Sequence, residues 1–153
     1  MGITDQVWRI SIKDEASVYV AAQQAKRLAR ELYFDEVGQA CLETVTSELA
    51  RNALVHAGGG EVCLRLLRDE RRVGLEIQVT DEGPGIGDLE QAMIDGYSTV
   101  GGLGTGLGAA RRLSDEFEIS SRPSGGTRVL ARSWRPVAGK DRTGVEASRF
   151  PKR

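Results

Sequence analysis

Glu48 and Asn52 stand four residues apart in the stretch Ser47-Glu48-Leu49-Ala50-Arg51-Asn52. On a helix that spacing is a little over one turn, so the two side chains share one edge while apolar neighbours turn toward a core. A carboxylate on that edge can take a proton from an attacking hydroxyl or water, and a carboxamide oxygen beside it can ligate magnesium. Alone, such a pair is more often a solvated helix face. Further along come Asp81-Glu82-Gly83-Pro84-Gly85-Ile86 and Gly102-Leu103-Gly104-Thr105-Gly106-Leu107-Gly108. An acidic turn and a flexible glycine run can close a nucleotide pocket around the pair.

As plain structure, the acidic stretch is an ordinary turn after a strand. As chemistry, Asp81 can accept a hydrogen bond from the exocyclic amine of adenine, with Gly83 and Gly85 letting backbone approach the ring. A hydrogen bond to a charged group contributes roughly 1.5 to 3 kcal/mol, enough to distinguish adenine from guanine. The glycine run loses much entropy when fixed, so something should compensate. Gly104, Gly106 and Ala109 formally satisfy the dinucleotide fingerprint G-x-G-x-x-A, but that motif must follow a buried strand, and Asp95-Gly96-Tyr97-Ser98-Thr99 is no strand. The P-loop pattern G-x-x-x-x-G-K-[ST] does not occur. A mobile lid whose amides meet phosphate at the start of the helix containing Ala109 is the better account.

His56 is the sole histidine and reads as a helix-terminal packing or hydrogen-bonding residue. With one histidine, neither a Ser-His-Asp triad nor a separate phosphoacceptor histidine helix can be assembled. Arg111 and Arg112 follow the lid, where they can meet a terminal phosphate or an acidic partner, or form a solvated face.

The elements that position these groups follow from periodicity. Trp8, Ile10 and Ile12 alternate as a short strand, and Asp14 can cap a helix from Glu15 to Tyr33 whose stripe is Val18, Ala22, Ala25, Leu28 and Leu32. Asp35 can cap a second helix with the stripe Val37, Cys41, Val45 and Leu49, ending at Gly58-Gly59-Gly60; this helix carries Glu48 and Asn52. Val62, Leu64 and Leu66, then Val73, Leu75, Ile77 and Val79, alternate as a hairpin turning at Asp69 to Arg72 and running into the acidic turn. A short helix from about Leu89 to Ile94, a helix from Ala109 to Leu113, and a hairpin of Phe117 to Ser121 with Thr127 to Trp134 complete the reading.

The chain of 153 residues is one domain's worth. A net charge of -1 supplies no basic field for nucleic acid. Cys41 and Cys63 sit in apolar runs and read as two buried thiols, which suits a reducing cytoplasm. No apolar run approaches a membrane span and no secretory leader is evident, so neither nucleic acid nor membrane is expected as a partner. Residues 136–153 carry five Lys or Arg against two acids and few large apolar side chains, the pattern of a loose, disordered basic tail after a domain of residues 1–135.

Taken in order, Ser47 to Asn52, Asp81-x-Gly83-x-Gly85, Gly102 to Gly108, and Gly125-Gly126-Thr127 resemble the N, G1, G2 and G3 boxes of the GHKL ATPase superfamily, covering most of residues 7 to 134. The chain is most similar to the stand-alone branch, the serine kinases and anti-sigma factors of bacterial partner-switching systems, and within it to stressosome switch kinases. The resemblance implies an α+β, two-layer sandwich, a mixed, mostly antiparallel sheet with helices on one face. It implies ATP and Mg2+ as cofactors, Glu48 as general base, Asn52 as magnesium ligand and Asp81 as adenine reader with Gly83 and Gly85. It further implies phosphate contacts from Gly102, Gly104, Thr105, Gly106, Leu107 and Gly108, with Thr127 supporting the adenine end. The implied substrate is a serine or threonine on a STAS-domain antagonist protein, with a PP2C-type phosphatase or a sigma factor downstream. The lid has Leu107-Gly108-Ala109 where the switch kinases tend to place a proline, and the tail lies outside the match.

Overall fold

A computed structural model describes residues 2–84, 106–122 and 125–136. Strand β1 (Gly2–Ile12) leads into two helices, α1 (Glu15–Glu31) and α2 (Glu36–Ala57), followed by the hairpin of β2 (Gly60–Arg68) and β3 (Arg72–Asp81). A short helix α3 (Leu107–Arg112) precedes a second hairpin, β4 (Glu116–Arg122) and β5 (Gly126–Pro136). The expected helix at 89–94, most of the glycine run and the tail at 137–153 lie outside the described residues.

Local chemistry sets the helix ends. Asp14 Oδ1 accepts from the Ser17 amide at 2.8 Å while Ser17 Oγ accepts from the Asp14 amide at 3.0 Å, a reciprocal cap on α1. Asp35 Oδ1 caps α2 through the Gly38 amide at 2.7 Å. Gly58 ends α2 at φ 78°, the left-handed region a glycine occupies without a Cβ penalty.

The strands form one sheet in the order β1-β2-β3-β5-β4, and all four pairings are antiparallel. Its inner face, with Leu64, Ile77 and Val129, packs on Val18 and Leu28 of α1 and on Val45 and Leu49 of α2. The expected stripe on α2 needs correction. Val37 is 71% exposed and Cys41 only half-buried, and the buried line is Leu42, Val45, Thr46, Leu49, Ala50 and Ala53. Thr46 belongs to it because its hydroxyl donates to the Leu42 carbonyl at 2.8 Å, which satisfies the polar group inside the core. On α1, Ala21 and Ala29 join the expected stripe.

The outer face carries a charge ladder. Arg65, Glu76, Arg132 and Glu116 stand opposite one another across four strands, paired at 3.7, 2.8 and 3.1 Å. The Trp134 ring covers Gly74, where a Cβ would lie 2.7 Å from it, and the Arg72 guanidinium stacks 3.8 Å above the ring. Trp134 Nε1 donates to Glu116. Burial disfavours the charge on Glu116, but hydrogen bonds from Trp134 and Arg132 outweigh it and hold the carboxyl below its ordinary pKa. A carboxyl depressed on folding adds stability above its unfolded pKa and loses it as pH falls through the folded value. Glu116→Gln is therefore expected to lower the melting temperature at pH 7 by the equivalent of about 1 kcal/mol, given its partial exposure. The gap to the parent should close below the ordinary carboxylate range, as thermal denaturation across pH will show.

Candidate functional site

Helix α2 is the spine of the site. Its flank carries Glu48, then Asn52 one turn on, then Ala53 and Ala57, against which the acidic turn is packed. A Cβ on Gly83 would lie 2.4 Å from that of Ala57, and one on Gly60 3.3 Å from those of both Ala53 and Asp81. At the other end, a Cβ on Gly106 would lie 2.0 Å from Glu48 Oε2. The glycine run and the acidic turn thus touch one helix at points about 13 Å apart, from nine residues at the helical rise, with Asn52 between them. That is comparable to the length of a nucleoside triphosphate.

Glu48 is about a third exposed, with Oε1 3.9 Å from Arg51 Nη1; Arg51 Nε lies 3.6 Å from Glu15 Oε1 on the first turn of α1. These residues line a groove between α1 and α2 of ≈ 400 Å³, bordered also by Tyr19, Thr44 and Ser47. Asn52 differs from its neighbour. Its Nδ2 is buried and has no hydrogen-bond partner among the described residues, an arrangement that costs roughly 1 to 3 kcal/mol unless a ligand accepts from it. Among the described residues, no cluster of three or more His, Cys, Asp or Glu is placed to hold a metal ion. A cation here would thus take Asn52 plus oxygens of its ligand and water, the ligand set magnesium prefers beside phosphate. The orphaned Nδ2 is a donor and fits an acceptor oxygen of a nucleotide, while a cation would take the Oδ1 of the same side chain.

Asp81 ends β3. Its Oδ1 accepts from the Gly83 amide at 2.9 Å, an Asx-type turn that aims the carboxylate. Thr127 pairs directly with Asp81 across β3 and β5 and is 7% exposed, and its hydroxyl lies 3.0 Å from Ser121 Oγ on β4. Two clefts, of ≈ 550 and ≈ 250 Å³, flank Asp81.

The structure therefore brings Glu48 and Gly106 together at one end of α2's flank and Gly83 with Asp81 at the other, Thr127 beside Asp81 on β5 and Asn52 between the two ends. Leu107 and Gly108 are buried at the start of α3. Gly85, Gly102, Gly104 and Thr105 lie outside the described residues. His56 is half-buried in the last turn of α2, and Arg111 and Arg112 are exposed on α3. The sequence reading names Gly60 as a helix end and Gly126 within the fourth box, but not their close packing on Asp81, and it gives Ser121 no role at the site. A Cβ on Gly126, at φ 84°, would lie 2.2 Å from the Asp81 carbonyl oxygen. The alternation Phe117, Ile119, Ser121 was the signal that could have placed Ser121 opposite Thr127.

Residues 38–136 match the family described as histidine kinase-, DNA gyrase B-, and HSP90-like ATPase. The chain is 42% identical over 125 residues to the serine/threonine-protein kinase RsbT of Bacillus subtilis (strain 168), covering 82% of this chain and 94% of RsbT. It is 32% identical over 95 residues to an anti-sigma F factor of Caldanaerobacter subterraneus subsp. tengcongensis, covering 58% of this chain and 64% of that protein. Among solved structures, the catalytic domain of histidine kinase ThkA in a nucleotide-free form aligns with 87% of this chain and 95% of its own, at a TM-score of 0.47 and 14% identity. The family match runs from the first turn of α2 to the end of β5 and takes in Glu48, Asn52, Asp81, Gly106 and Thr127, and RsbT is matched over nearly its full length: this chain belongs to the histidine kinase-, DNA gyrase B- and HSP90-like ATPase family.

Proposed function

We propose that this protein is an ATP-dependent serine/threonine protein kinase of a bacterial partner-switching system, acting on a hydroxyl of a STAS-domain antagonist protein. The observation that carries the reading is the placement of Glu48 on the wall of the open groove between α1 and α2, with the orphaned Asn52 amide one turn away. A carboxylate there is reachable by another protein's hydroxyl while remaining next to the phosphate end of the site. The likeness to RsbT, named a serine/threonine-protein kinase, supports the same conclusion.

Asp81 and Thr127 hold the adenine end, and Gly106, Leu107 and Gly108 lie at the phosphate end. Asn52 would hold the magnesium ion, which offsets phosphate charge when bound. Glu48 orients the acceptor hydroxyl and takes its proton as the oxygen bonds to the terminal phosphorus of ATP and ADP departs. The phosphorylated side chain then carries about -1.5 to -2 charge beside Glu48, which favours release of the product protein.

ATP in magnesium should bind and GTP should bind poorly, because a carboxylate accepts from adenine's amine and repels guanine's carbonyl oxygen. Asp81→Asn is expected to shrink that preference by about tenfold or more, on the scale of one hydrogen bond to a charged group. Calorimetry with both nucleotides measures it, and equal affinities in the parent would remove the adenine-reading role of Asp81.

The likeness to an anti-sigma F factor favours a second reading, a module that sequesters a sigma factor and uses ATP to choose between partners. Immunoprecipitation separates the two. STAS proteins or a PP2C-type phosphatase in the bound fraction support the kinase, and RNA polymerase sigma subunit supports the sequestering module.

A further inference from the structure

Gly106 has φ -101° and ψ -11°, a conformation open to any L residue, so backbone freedom does not explain a glycine there. Space does. A Cβ at this position would lie 2.0 Å from Glu48 Oε2 and 2.9 Å from Glu48 Cδ. At Gly59, Gly60 and Gly126 the nearest atom to such a Cβ is a backbone oxygen; at Gly106 it is the carboxylate of the candidate base. Neither helix can back away. Leu107 and Ala110 anchor α3 in the core, the Ala110 amide donates to the Gly106 carbonyl at 2.9 Å, and Leu49 and Ala50 beside Glu48 are fully enclosed. The other carboxylate oxygen faces Arg51 at 3.9 Å, so the group sits between a guanidinium and a bare α-carbon.

We propose that Gly106 is a positioning residue for Glu48: the space left by its missing side chain is the seat of the carboxylate, and the end of the glycine run thereby sets where the base points. This rests on Glu48 being the base, which its own substitution to glutamine tests separately.

Adding a methyl group at 106 must displace the carboxylate by about an ångström, a shift that can cost on the order of 100-fold in rate. In phosphoryl transfer from ATP to the acceptor protein, Gly106→Ala is expected to lower kcat by about 10- to 100-fold with KM for ATP changed less than about threefold. Glu48→Asp withdraws the carboxylate by one methylene, so the double variant Gly106→Ala/Glu48→Asp should be at least about fivefold more active than the product of the two single effects. Gly106→Ala should also lower the melting temperature, and Glu48→Ala, which removes the carboxylate but keeps the Cβ at 3.0 Å, should restore it in part; this readout holds if Gly106→Ala folds too poorly to assay. Multiplicative rate effects with no thermal rescue by Glu48→Ala, or a loss of ATP affinity matching the loss of rate, would overturn the proposal. A Glu48→Gln enzyme at the parent rate would instead remove the base reading on which it stands.

Discussion

Glu48→Gln is expected to slow phosphoryl transfer by roughly 100- to 10,000-fold while nucleotide and acceptor binding persist. The amide keeps the shape of the carboxylate, so it can occupy the seat at Gly106 and line the groove between α1 and α2 as before. What it loses is the capacity to take the hydroxyl proton. Phosphoryl transfer proceeds largely by positioning and charge stabilisation, which points to the lower part of that range. Single-turnover transfer to the acceptor, read beside ATP affinity by calorimetry, separates loss of chemistry from loss of binding. A variant that binds ATP and works at the parent rate would show that Glu48 is not the base.

Asn52→Ala should have the opposite signature, abolishing productive binding of ATP in magnesium, by about 100-fold or more, and transfer with it. Its effect on the fold should be small or favourable. Asn52 Nδ2 is buried without a partner among the described residues, and removing an unsatisfied donor relieves a penalty of roughly 1 to 3 kcal/mol, set against the small cavity left behind. An equal or raised melting temperature in a variant that no longer binds nucleotide is the mark of a residue kept for its ligand. A melting temperature that falls in step with affinity would instead make Asn52 a structural residue.

The elements that position the site were largely legible in the sequence, because caps and stops act locally. Asp14, Asp35 and Gly58 bound α1 and α2 where the reading placed them, and the two hairpins pair as expected. The face that α2 buries was misread, since a Thr at position 46 looks polar until its hydroxyl is seen to bond back to Leu42. β1 was read from Trp8 but runs from Gly2, with a register shift between Ile3 and Val7 that breaks the alternation a strand is recognised by. Glu76 reads as the solvent-facing member of an alternating strand, yet it is 3% exposed. Only the register of β3 against β2 and β5 brings Arg65 and Arg132 to it.

At the site, spacing on one helix was enough to pair Glu48 with Asn52, and the turn chemistry of Asp81 and Gly83 follows from three consecutive residues. The partnerships that span the chain were not legible. Ser121 meets Thr127 through a strand pairing, Gly126 makes room for the Asp81 backbone from the neighbouring strand, and Gly106 accommodates Glu48 from 58 residues away. In the sequence Gly106 reads as a phosphate contact and Gly126 as part of a turn, each from its own neighbourhood. What each provides is space for an atom the local sequence does not contain.

The most direct test is transfer of terminally labelled phosphate from ATP, with magnesium, to a purified STAS-domain protein encoded nearby, with Glu48→Gln in parallel. The kinase reading predicts label on a serine or threonine of the acceptor, formed by the parent and delayed at least about 100-fold in the variant. A parent protein that binds ATP yet labels no STAS acceptor would contradict it and leave the sequestering module as the function of this site.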